Sequence, residues 1–375
     1  MTLYIWVEPH FSLTPWYIDF QNGLKNASAS KRIKIRTEIL EMPMLVEDED
    51  SMVFLVGETY GWYNSMLEYL DQCDVQVCVV SCEIPQTRGA SCITTDHSRD
   101  MANLIHFMCE AGRSRIAFFG FNPSSPHDRQ RIDGIHYISH PEGFSCDSND
   151  IYFTNGNVSV CCERLIKSIQ NYNAVIAGND LYAIFLMSQL ESCGIRIPED
   201  IFLASFGNTL LSRISKPTLS SMSVNLYQVG QMAVNAYIAW TKNPNVSKYV
   251  YLLESTFYSR ETTGNLVMVH RQRKHYSMQG EASDISSYSD DSLLKLVRLE
   301  NFLSKADATD LSIISALLQG SAIDALPEKL FISDSALDYR MSKMYKHFEV
   351  NCRQSFTSLL HEYSAQVDFP EKPIL

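Results

Sequence analysis

The chain has 375 residues, of which 45% are hydrophobic and 20% are charged, a composition typical of soluble globular domains. This length exceeds what one core of ordinary size holds and indicates two or three domains. The formal net charge of −12 argues against non-specific nucleic-acid binding by the whole chain, although a single small domain can still bind DNA.

The first residues and the apolar runs indicate the compartment. The opening MTLYIWVEPHF lacks the basic region and the long apolar region of a signal peptide. No apolar run approaches the ~20 residues of a membrane span. We therefore expect a cytoplasmic protein without membrane contact. In a reducing compartment most of the ten cysteines are expected to be small buried hydrophobes, with redox sensing as the alternative.

No cofactor or metal is expected either. Cys161 and Cys162 are adjacent instead of forming a C-x-x-C motif, and no His/Cys set has the spacing of a zinc site. The sequence also shows no phosphate-binding loop and no nucleophile–base constellation. We therefore do not expect an enzyme.

The N-terminal part alternates apolar runs with amphipathic segments. Residues 3–7 predict a strand, which Pro9 ends, and an aromatic-rich loop and a helix through Phe20 and Leu24 follow. Further predicted strands and helices alternate along the chain: 52–56, 66–70, 75–80, 93–95, 101–111 and 115–119. This alternation predicts βαβ units and a parallel sheet.

The stretch 173–222 gives the clearest pattern. The apolar run 174–177 ends at Gly178-Asn179-Asp180, an amphipathic segment follows, and 201–206 is a second apolar run, which together predict one βαβ crossover. Ligands bind outside the carboxyl ends of strands in open α/β sheets, so Asn179 and Asp180 are candidate ligand residues. Helix capping is the alternative, since both residue types are preferred N-caps.

Four motifs in this stretch resemble the ligand-binding core of the LacI/GalR family in order and spacing. The family's "ND..A", "G..(V/I)P.D", "GFDD" and "PxLTT" correspond to residues 179–183, 194–200, 205–208 and 217–221. The segment AGRSRIAFFG is similar to the family's "LGHRRIAFLG", and residues 257–263 resemble its closing segment. The resemblance spans about residues 2–264 and implies an α/β, two-lobed periplasmic-binding-protein-like type I fold with a ligand between the lobes.

The resemblance also implies the ligand residues. It makes Arg131 a candidate for binding ligand oxygens, and an arginine suits this task because its fork donates two parallel hydrogen bonds. A surface position is the alternative for Arg131, and packing of the first helix is the alternative for the aromatic residues. The complete set of candidates is Phe11, Trp16, Tyr17, Asp96, Arg131, Asn179, Asp180 and Asn208.

Two departures count against an ordinary sugar pocket. The first Asp of "GFDD", which binds sugar in the family, is Gly207 here, and a cleft glutamine after "LTT" is Val224. Each hydroxyl of a polyol needs a partner once it leaves water. The expected effector is therefore a different sugar or a less polar molecule, and a cleft without ligand is the alternative.

Composition changes after the sensor-like part. Residues 270–275 are basic, and residues 276–292 are polar, aperiodic and rich in Ser and Asp, as in an interdomain linker. We therefore predict a ligand-binding domain at 1–265, a linker at 266–292 and a helical domain at 293–375. The first lobe is predicted at about 1–97 and 225–250, and the second at about 98–224 and 251–265.

The last eighty residues predict a helix-turn-helix. A helix over about 311–318 ends at Gly320, a short helix covers about 324–331, and Ser333 caps a third, amphipathic helix. The apolar spacing from Gly320 to Arg353 resembles the LuxR-type domain. An AraC-type domain is the alternative, although that family needs two such units. The candidates for DNA contact are Ser333, Ser335, Tyr339, Arg340, Lys343 and Lys346.

The charge of this tail is unusual for a DNA-binding domain. From residue 295 onward there are nine Lys and Arg against eleven Asp and Glu, and Asp334 and Asp338 stand on the third helix. Neutralised phosphates supply most non-specific affinity, so DNA-binding domains are mostly basic. The alternative is a degenerate helix-turn-helix that serves dimerisation or binds a partner protein.

These patterns together predict a ligand-responsive transcription regulator. LacI-type repressors carry a helix-turn-helix before the first strand, whereas here that strand starts at residue 3, so the tail is the expected DNA-binding part. The expected partners are operator DNA, a small-molecule effector and a second copy of the chain, because two half-sites require two recognition helices.

Overall fold

The computed structural model describes residues 2–46, 51–73, 75–82, 90–137, 141, 143–243, 245–268, 295, 298–299, 301–303, 305–364 and 369. The chain divides into two compact units, Met1–His275 and Tyr276–Leu375. Most of the predicted linker, including the basic cluster, lies outside the described residues.

The first lobe of the first unit is built on a six-stranded parallel sheet. Its strands are β1 (Thr2–Val7), β2 (Lys34–Ile39), β3 (Met52–Val56), β4 (Gln76–Val80), β5 (Ser91–Thr95) and β11 (Val250–Leu253), in the spatial order β11-β5-β4-β3-β1-β2. Helices α1 (Pro15–Lys31), α2 (Tyr60–Asp71) and α8 (Leu226–Lys242) cover it. Strands such as β1 and β3 are buried along their whole length, since helices lie on both faces of the sheet.

The second lobe repeats this design. Its strands are β6 (Ile116–Phe121), β7 (Ile151–Phe153), β8 (Ala174–Ala177), β9 (Phe202–Phe206), β10 (Ser220–Ser223) and β12 (Thr256–Tyr258), in the order β12-β10-β9-β8-β6-β7. All pairings are parallel except that of β12 with β10. The accompanying helices are α3 (His97–Glu110), α4 (Pro126–Tyr137), α5 (Val158–Ile166), α6 (Asp180–Ser192) and α7 (Leu210–Ile214).

Three crossings join the two sheets. The chain leaves the first sheet after Thr95, returns to the first lobe after Ser223, and crosses again after Leu253. At the third crossing β11 pairs with β5 through Leu253, which lies opposite Thr95.

The second unit is helical over its described residues. Its helices are α9 (Ala308–Leu318), α10 (Leu326–Leu330), α11 (Asp334–Phe348) and α12 (Arg353–Ser364). They share a core that includes Leu311, Leu337, Met344, Phe348 and Phe356. Ser333 caps α11, because its Oγ accepts a hydrogen bond of 3.2 Å from the backbone N–H of Ala336. The predicted sequence of a short helix, a turn and an amphipathic capped helix is present.

Candidate ligand-binding cleft

The first unit contains a cavity of about 300 Å³ that side chains of both lobes line. This volume lies at the lower end of the range of about 300–1,000 Å³ that is typical of small-molecule sites. The cavity lies at the carboxyl ends of strands in both sheets, the position where ligands bind in open α/β sheets. Of the predicted ligand residues, four line it: Phe11, Trp16, Arg131 and Asn179.

One side of the cavity lining is apolar. It includes Phe11, Trp16, Phe206, Met222, Val224 and Leu226. Gly207 has a φ of +131°, and a Cβ built there would lie 2.6 Å from Nε1 of Trp16. The indole therefore fills the space that a side chain at position 207 would need. Gly207 and Val224, the two departures from the family pattern, both line the cavity and contribute no polar side chain to it.

Arg131 lines the cavity from α4, but its charge already has a partner. Its Nη1 donates to Oδ1 of Asp128 at 2.8 Å and to the carbonyl oxygen of Gly178 at 3.0 Å. The guanidinium carbon lies 4.1 Å from the centre of the Phe206 ring. Its buried Nε has no hydrogen-bond partner among the described residues. Asp128 therefore balances the charge of Arg131 at the cavity.

Asp100 faces the cavity and is bonded to two of the three crossings between the lobes. Its Oδ2 accepts hydrogen bonds from Oγ1 of Thr95 at 3.2 Å and from Oγ of Ser255 at 2.5 Å. Thr95 ends β5, and Ser255 lies between β11 and β12. Burial raises the pKa of Asp100 to about 6. This carboxyl is therefore neutral in a fraction of molecules just below neutral pH.

Glu58 also faces the cavity, from the end of β3. Burial, the charge of Asp128 and the charge of Glu8 together raise its pKa. Its backbone N–H donates to Oε2 of Glu8 at 2.5 Å, which fixes the position of the loop. Within the part of the chain that the structure describes, the Glu58 carboxylate itself forms no hydrogen bond or ion pair.

Two histidines complete the polar side. The rings of His97 and His127 meet edge to face at 5.5 Å, and Nε2 of His97 lies 2.7 Å from the carbonyl oxygen of Ser81. Burial and the nearby charge of Arg131 lower the pKa of both rings, that of His127 to about 3. Both are therefore uncharged at neutral pH, and the close carbonyl oxygen requires that Nε2 of His97 carries the proton.

Two of the predicted ligand residues, Tyr17 and Asp96, have structural roles at helices α1 and α3. Tyr17 is only 6% exposed and packs in the core of the first lobe, because α1 turns it towards the sheet. Asp96 caps α3, since its Oδ1 accepts a hydrogen bond of 2.9 Å from the N–H of Arg99. Neither side chain is among the residues that line the cavity.

Asp180 and Asn208 hold the second lobe together instead of facing the cavity. Asp180 is fully buried and accepts hydrogen bonds from Ser205 Oγ at 2.5 Å, Ser221 Oγ at 2.7 Å and the N–H of Thr209 at 2.6 Å. The Oδ1 of Asn208 accepts from Arg260. Asn179 lines the cavity, and its Oδ1 also caps α6 through the N–H of Tyr182 at 3.0 Å.

Several cavity residues were missed in the sequence. They are Glu58, His97, Asp100, His127, Asp128 and Ser255. A local signal existed for part of this set: Glu58 and His97 follow strand ends, as Asn179 does, and Asp128 precedes Arg131 by one helical turn. No described group of three or more His, Cys, Asp or Glu is arranged to hold a metal ion.

The predicted DNA-contact residues of the second unit divide into two groups. Ser335, Tyr339, Lys343 and Lys346 are exposed on α11, and Ser333 is exposed at its cap. Arg340 is only 26% exposed, and its Nη1 lies 2.8 Å from Oδ2 of Asp307 and 2.6 Å from Oδ1 of Asp310. Arg340 thus joins α11 to the start of α9, and its charge is paired with two carboxylates.

Comparisons with known proteins agree with this geometry. The family model for periplasmic binding protein-like domains matches residues 105–263. Catabolite control protein A of Priestia megaterium is 21% identical over 226 residues, and the transcriptional repressor PurR of Vibrio atlanticus is 26% identical over 163. These matches cover 59% and 43% of this chain and 66% and 49% of the relatives, so the chain spans less than two thirds of either relative.

Two solved structures show the same fold. The transcriptional regulator CelR in complex with cellobiose superposes with a TM-score of 0.61 at 16% identity, covering 70% of this chain and 84% of that one. The regulator CcpA of Lactococcus lactis gives 0.59 at 15% identity, covering 70% and 99%. The first unit has the two-lobed, periplasmic-binding-protein-like fold of LacI/GalR-type sensor domains. The predicted α/β fold class is confirmed.

No helix in the described part of the chain combines the length and apolar character that a membrane crossing requires.

Proposed function

We propose that this protein is a cytoplasmic, ligand-responsive transcription regulator. In this proposal a small molecule binds between the two lobes, and the second unit contacts operator DNA. The observation that carries the proposal is the cavity between two lobes. Side chains of both lobes line this cavity, and three crossings of the chain connect the lobes. The similarity of the first unit to transcription regulators supports the assignment.

Ligand binding would act through the relative position of the lobes. The N–H of Tyr60 in the first lobe donates to the carbonyl oxygen of Ser124 in the second at 2.9 Å, close to Glu58 and Ser125 of the cavity lining. A ligand shifts such an equilibrium only by its difference in affinity for the two states. A molecule that contacts both lobes favours the conformation in which both sets of contacts form.

The second unit supplies the proposed DNA contacts through α11. Ser335, Tyr339, Lys343 and Lys346 recur at intervals of three or four residues and therefore share one exposed helix face. In this proposal the short α10, the turn and the capped α11 form a LuxR-type helix-turn-helix, with an AraC-type domain as the alternative. A homodimer would present two such helices to two half-sites.

DNA binding by the full chain tests this proposal. Fluorescence anisotropy would be measured on genomic fragments at several salt concentrations, with the double variant Lys343→Ala/Lys346→Ala beside the wild type. If both lysines contact phosphates, the slope of log K against log salt falls by about 2. The matched control is Lys31→Ala/Lys167→Ala, which removes the same charge from exposed positions of the first unit. The proposal is supported if the wild type and the control variant bind DNA saturably and in a salt-sensitive manner while the Lys343→Ala/Lys346→Ala variant binds more weakly. It is overturned if the wild type binds none of the fragments.

A second candidate function is binding of a partner protein by the tail. Phe331 and Tyr339 are 95% and 71% exposed, and Asp334 and Asp338 are exposed beside them. Exposed aromatic residues are favoured at protein interfaces, whereas carboxylates repel phosphates. Intact folding with no affinity for DNA would favour this candidate.

A further inference from the structure

The charges that face the cleft are unbalanced. Three carboxyl groups, those of Glu58, Asp100 and Asp128, line the cavity together with one guanidinium, that of Arg131. The ring pKa values of the two histidines are lowered, so these rings add no positive charge at neutral pH. Asp128 pairs with Arg131 at 2.8 Å. Among the described residues, the remaining two carboxyl groups form no ion pair, although the charge of His10 acts on Glu58 and that of Arg131 acts on Asp100.

These two carboxyl groups differ in how they are satisfied. Asp100 accepts hydrogen bonds from two hydroxyl groups, those of Thr95 and Ser255. The carboxylate of Glu58 receives no hydrogen bond from the described residues, although it is half-buried. A partly buried charge without a partner is costly, and a ligand that supplies a cationic donor removes that cost. Among the described residues, Glu58 is therefore a cavity carboxylate whose acceptor oxygens are left for a ligand.

The apolar part of the cavity lining suits an apolar ligand group better than the hydroxyl groups of a polyol. Trp16, Val224 and Leu226 offer no side-chain acceptor, and Trp16 occupies the space beside Gly207. Hydroxyl groups placed against this side would lose their water partners without replacement. Aromatic rings, by contrast, attract cations over their faces and pack well against apolar groups, and Phe11, Trp16 and Tyr182 line this cavity.

We propose that the cleft binds a small organic cation, in which an amine or quaternary ammonium group is attached to an apolar ring or chain. The cationic group would pair with Glu58, and the apolar part would contact Trp16, Val224 and Leu226. This inference rests on the proposed sensor function, since it names the chemical class of the molecule that the cleft detects.

Matched probes of different charge test the inference on the full chain. Binding of 2-phenylethylamine and benzyltrimethylammonium would be measured by thermal shift and calorimetry beside neutral 2-phenylethanol, anionic 3-phenylpropanoate and cellobiose. Ligands that bind the native state raise the melting temperature by mass action. We expect stabilisation by the cations, and at least tenfold weaker binding by the neutral and anionic isosteres.

The variant Glu58→Gln identifies the acceptor. It should weaken cation binding about tenfold or more and leave 2-phenylethanol binding unchanged. The control Glu68→Gln removes an exposed carboxylate of α2 that does not line the cavity, and it should bind as the wild type does.

Several results would overturn the inference. These are equal or tighter binding of the neutral or anionic isosteres, stabilisation by cellobiose alone, no stabilisation by either cation at millimolar concentration, and cation binding that Glu58→Gln leaves intact. Each of them leaves the regulator proposal standing if DNA binding is observed. Failure of DNA binding together with selective cation binding would instead overturn the regulator and retain the ligand class.

Discussion

Acidic side chains lie near strand ends in two regions of the first unit, and the two regions differ in how many hydrogen-bond donors they supply to these carboxyl groups. Asp180 is fully buried beside β9 and β10, where two hydroxyl groups and one backbone N–H donate to it. In the cleft, Asp100 has two donors and Glu58 has none among the described residues. The number of donors that the fold supplies separates a carboxylate that holds the lobe together from one that is left for a ligand.

The second unit repeats this contrast with positive charges. Arg340 is held by Asp307 and Asp310, while Lys343 is exposed one turn away. Both were predicted as DNA contacts from the same helix, yet Arg340 pairs with two carboxylates, whereas Lys343 forms no ion pair with the described residues. The comparison therefore predicts that fully bonded charges act on stability and that unpaired charges act on binding.

The strongest expected effect is that of Asp180→Ala. Its loss leaves the buried hydroxyl groups of Ser205 and Ser221 and the N–H of Thr209 without their acceptor. We expect the free energy of unfolding of the first unit to fall by about 3 kcal/mol. All four tryptophans of the chain lie in this unit, so urea unfolding followed by tryptophan fluorescence measures it selectively.

Asp96→Ala is the comparison variant for this experiment. Asp96 caps α3 at a partly exposed position, and the loss of such a cap costs about 1 kcal/mol. Equal losses for the two variants would contradict the contrast between a fully bonded buried carboxylate and an ordinary cap.

A smaller effect, and one that depends on pH, is expected for Asp100→Asn. The folded-state pKa of about 6 lies above the ordinary value near 3.9, so the folded protein binds the proton more tightly. The free energy of unfolding therefore falls as pH rises through about 4 to 6 and changes no further above that window. Asparagine removes this titration and should reduce the pH-dependent loss by about 2 kcal/mol.

Chemical unfolding between pH 4 and pH 7.5 tests this expectation. The control is Asp19→Asn, an exposed carboxyl on α1 that does not line the cavity. A wild-type profile that is parallel to that of Asp100→Asn across the window would contradict the assigned role of burial.

The smallest effect on stability is expected in the second unit. Arg340→Ala leaves Asp310, which is mostly buried, without its cation, and we expect a loss of about 1 kcal/mol because the Arg340 and Asp307 side chains are partly exposed. Lys343→Ala should change the stability by less than about 0.5 kcal/mol. Hydrogen exchange of the amides in residues 305–364 measures the stability of the second unit in both variants. A larger loss of stability for Lys343→Ala than for Arg340→Ala would contradict the contrast between paired and unpaired charges.

The buried central strands could be predicted from the sequence more reliably than the strands at the edges of the sheets. The strands β3 and β8 are continuous apolar runs, as is typical of parallel strands that are covered on both faces. The edge strand β2, KIRTEI, was not predicted because its partly exposed residues are mixed polar and apolar. The short edge strand β7 was missed as well, since three residues give no recognisable period.

The cleft could be predicted only in part, and the reason is side-chain direction. Asn179 and Asp180 are neighbours at one strand end, yet one faces the cavity and the other faces the core of the lobe. Successive positions in the first turn of a helix point about 100° apart, and the local pattern does not fix which of them faces the ligand. Whether a charged side chain has a partner, as Arg131 has in Asp128, is known only from the three-dimensional structure.

The bonds of Asp100 tie it to Thr95 and Ser255, which lie on two of the three segments that connect the lobes. Proton uptake by this carboxyl would therefore act directly on those connecting segments. Acidity would thus influence the arrangement of the lobes separately from the pairing of a ligand with Glu58.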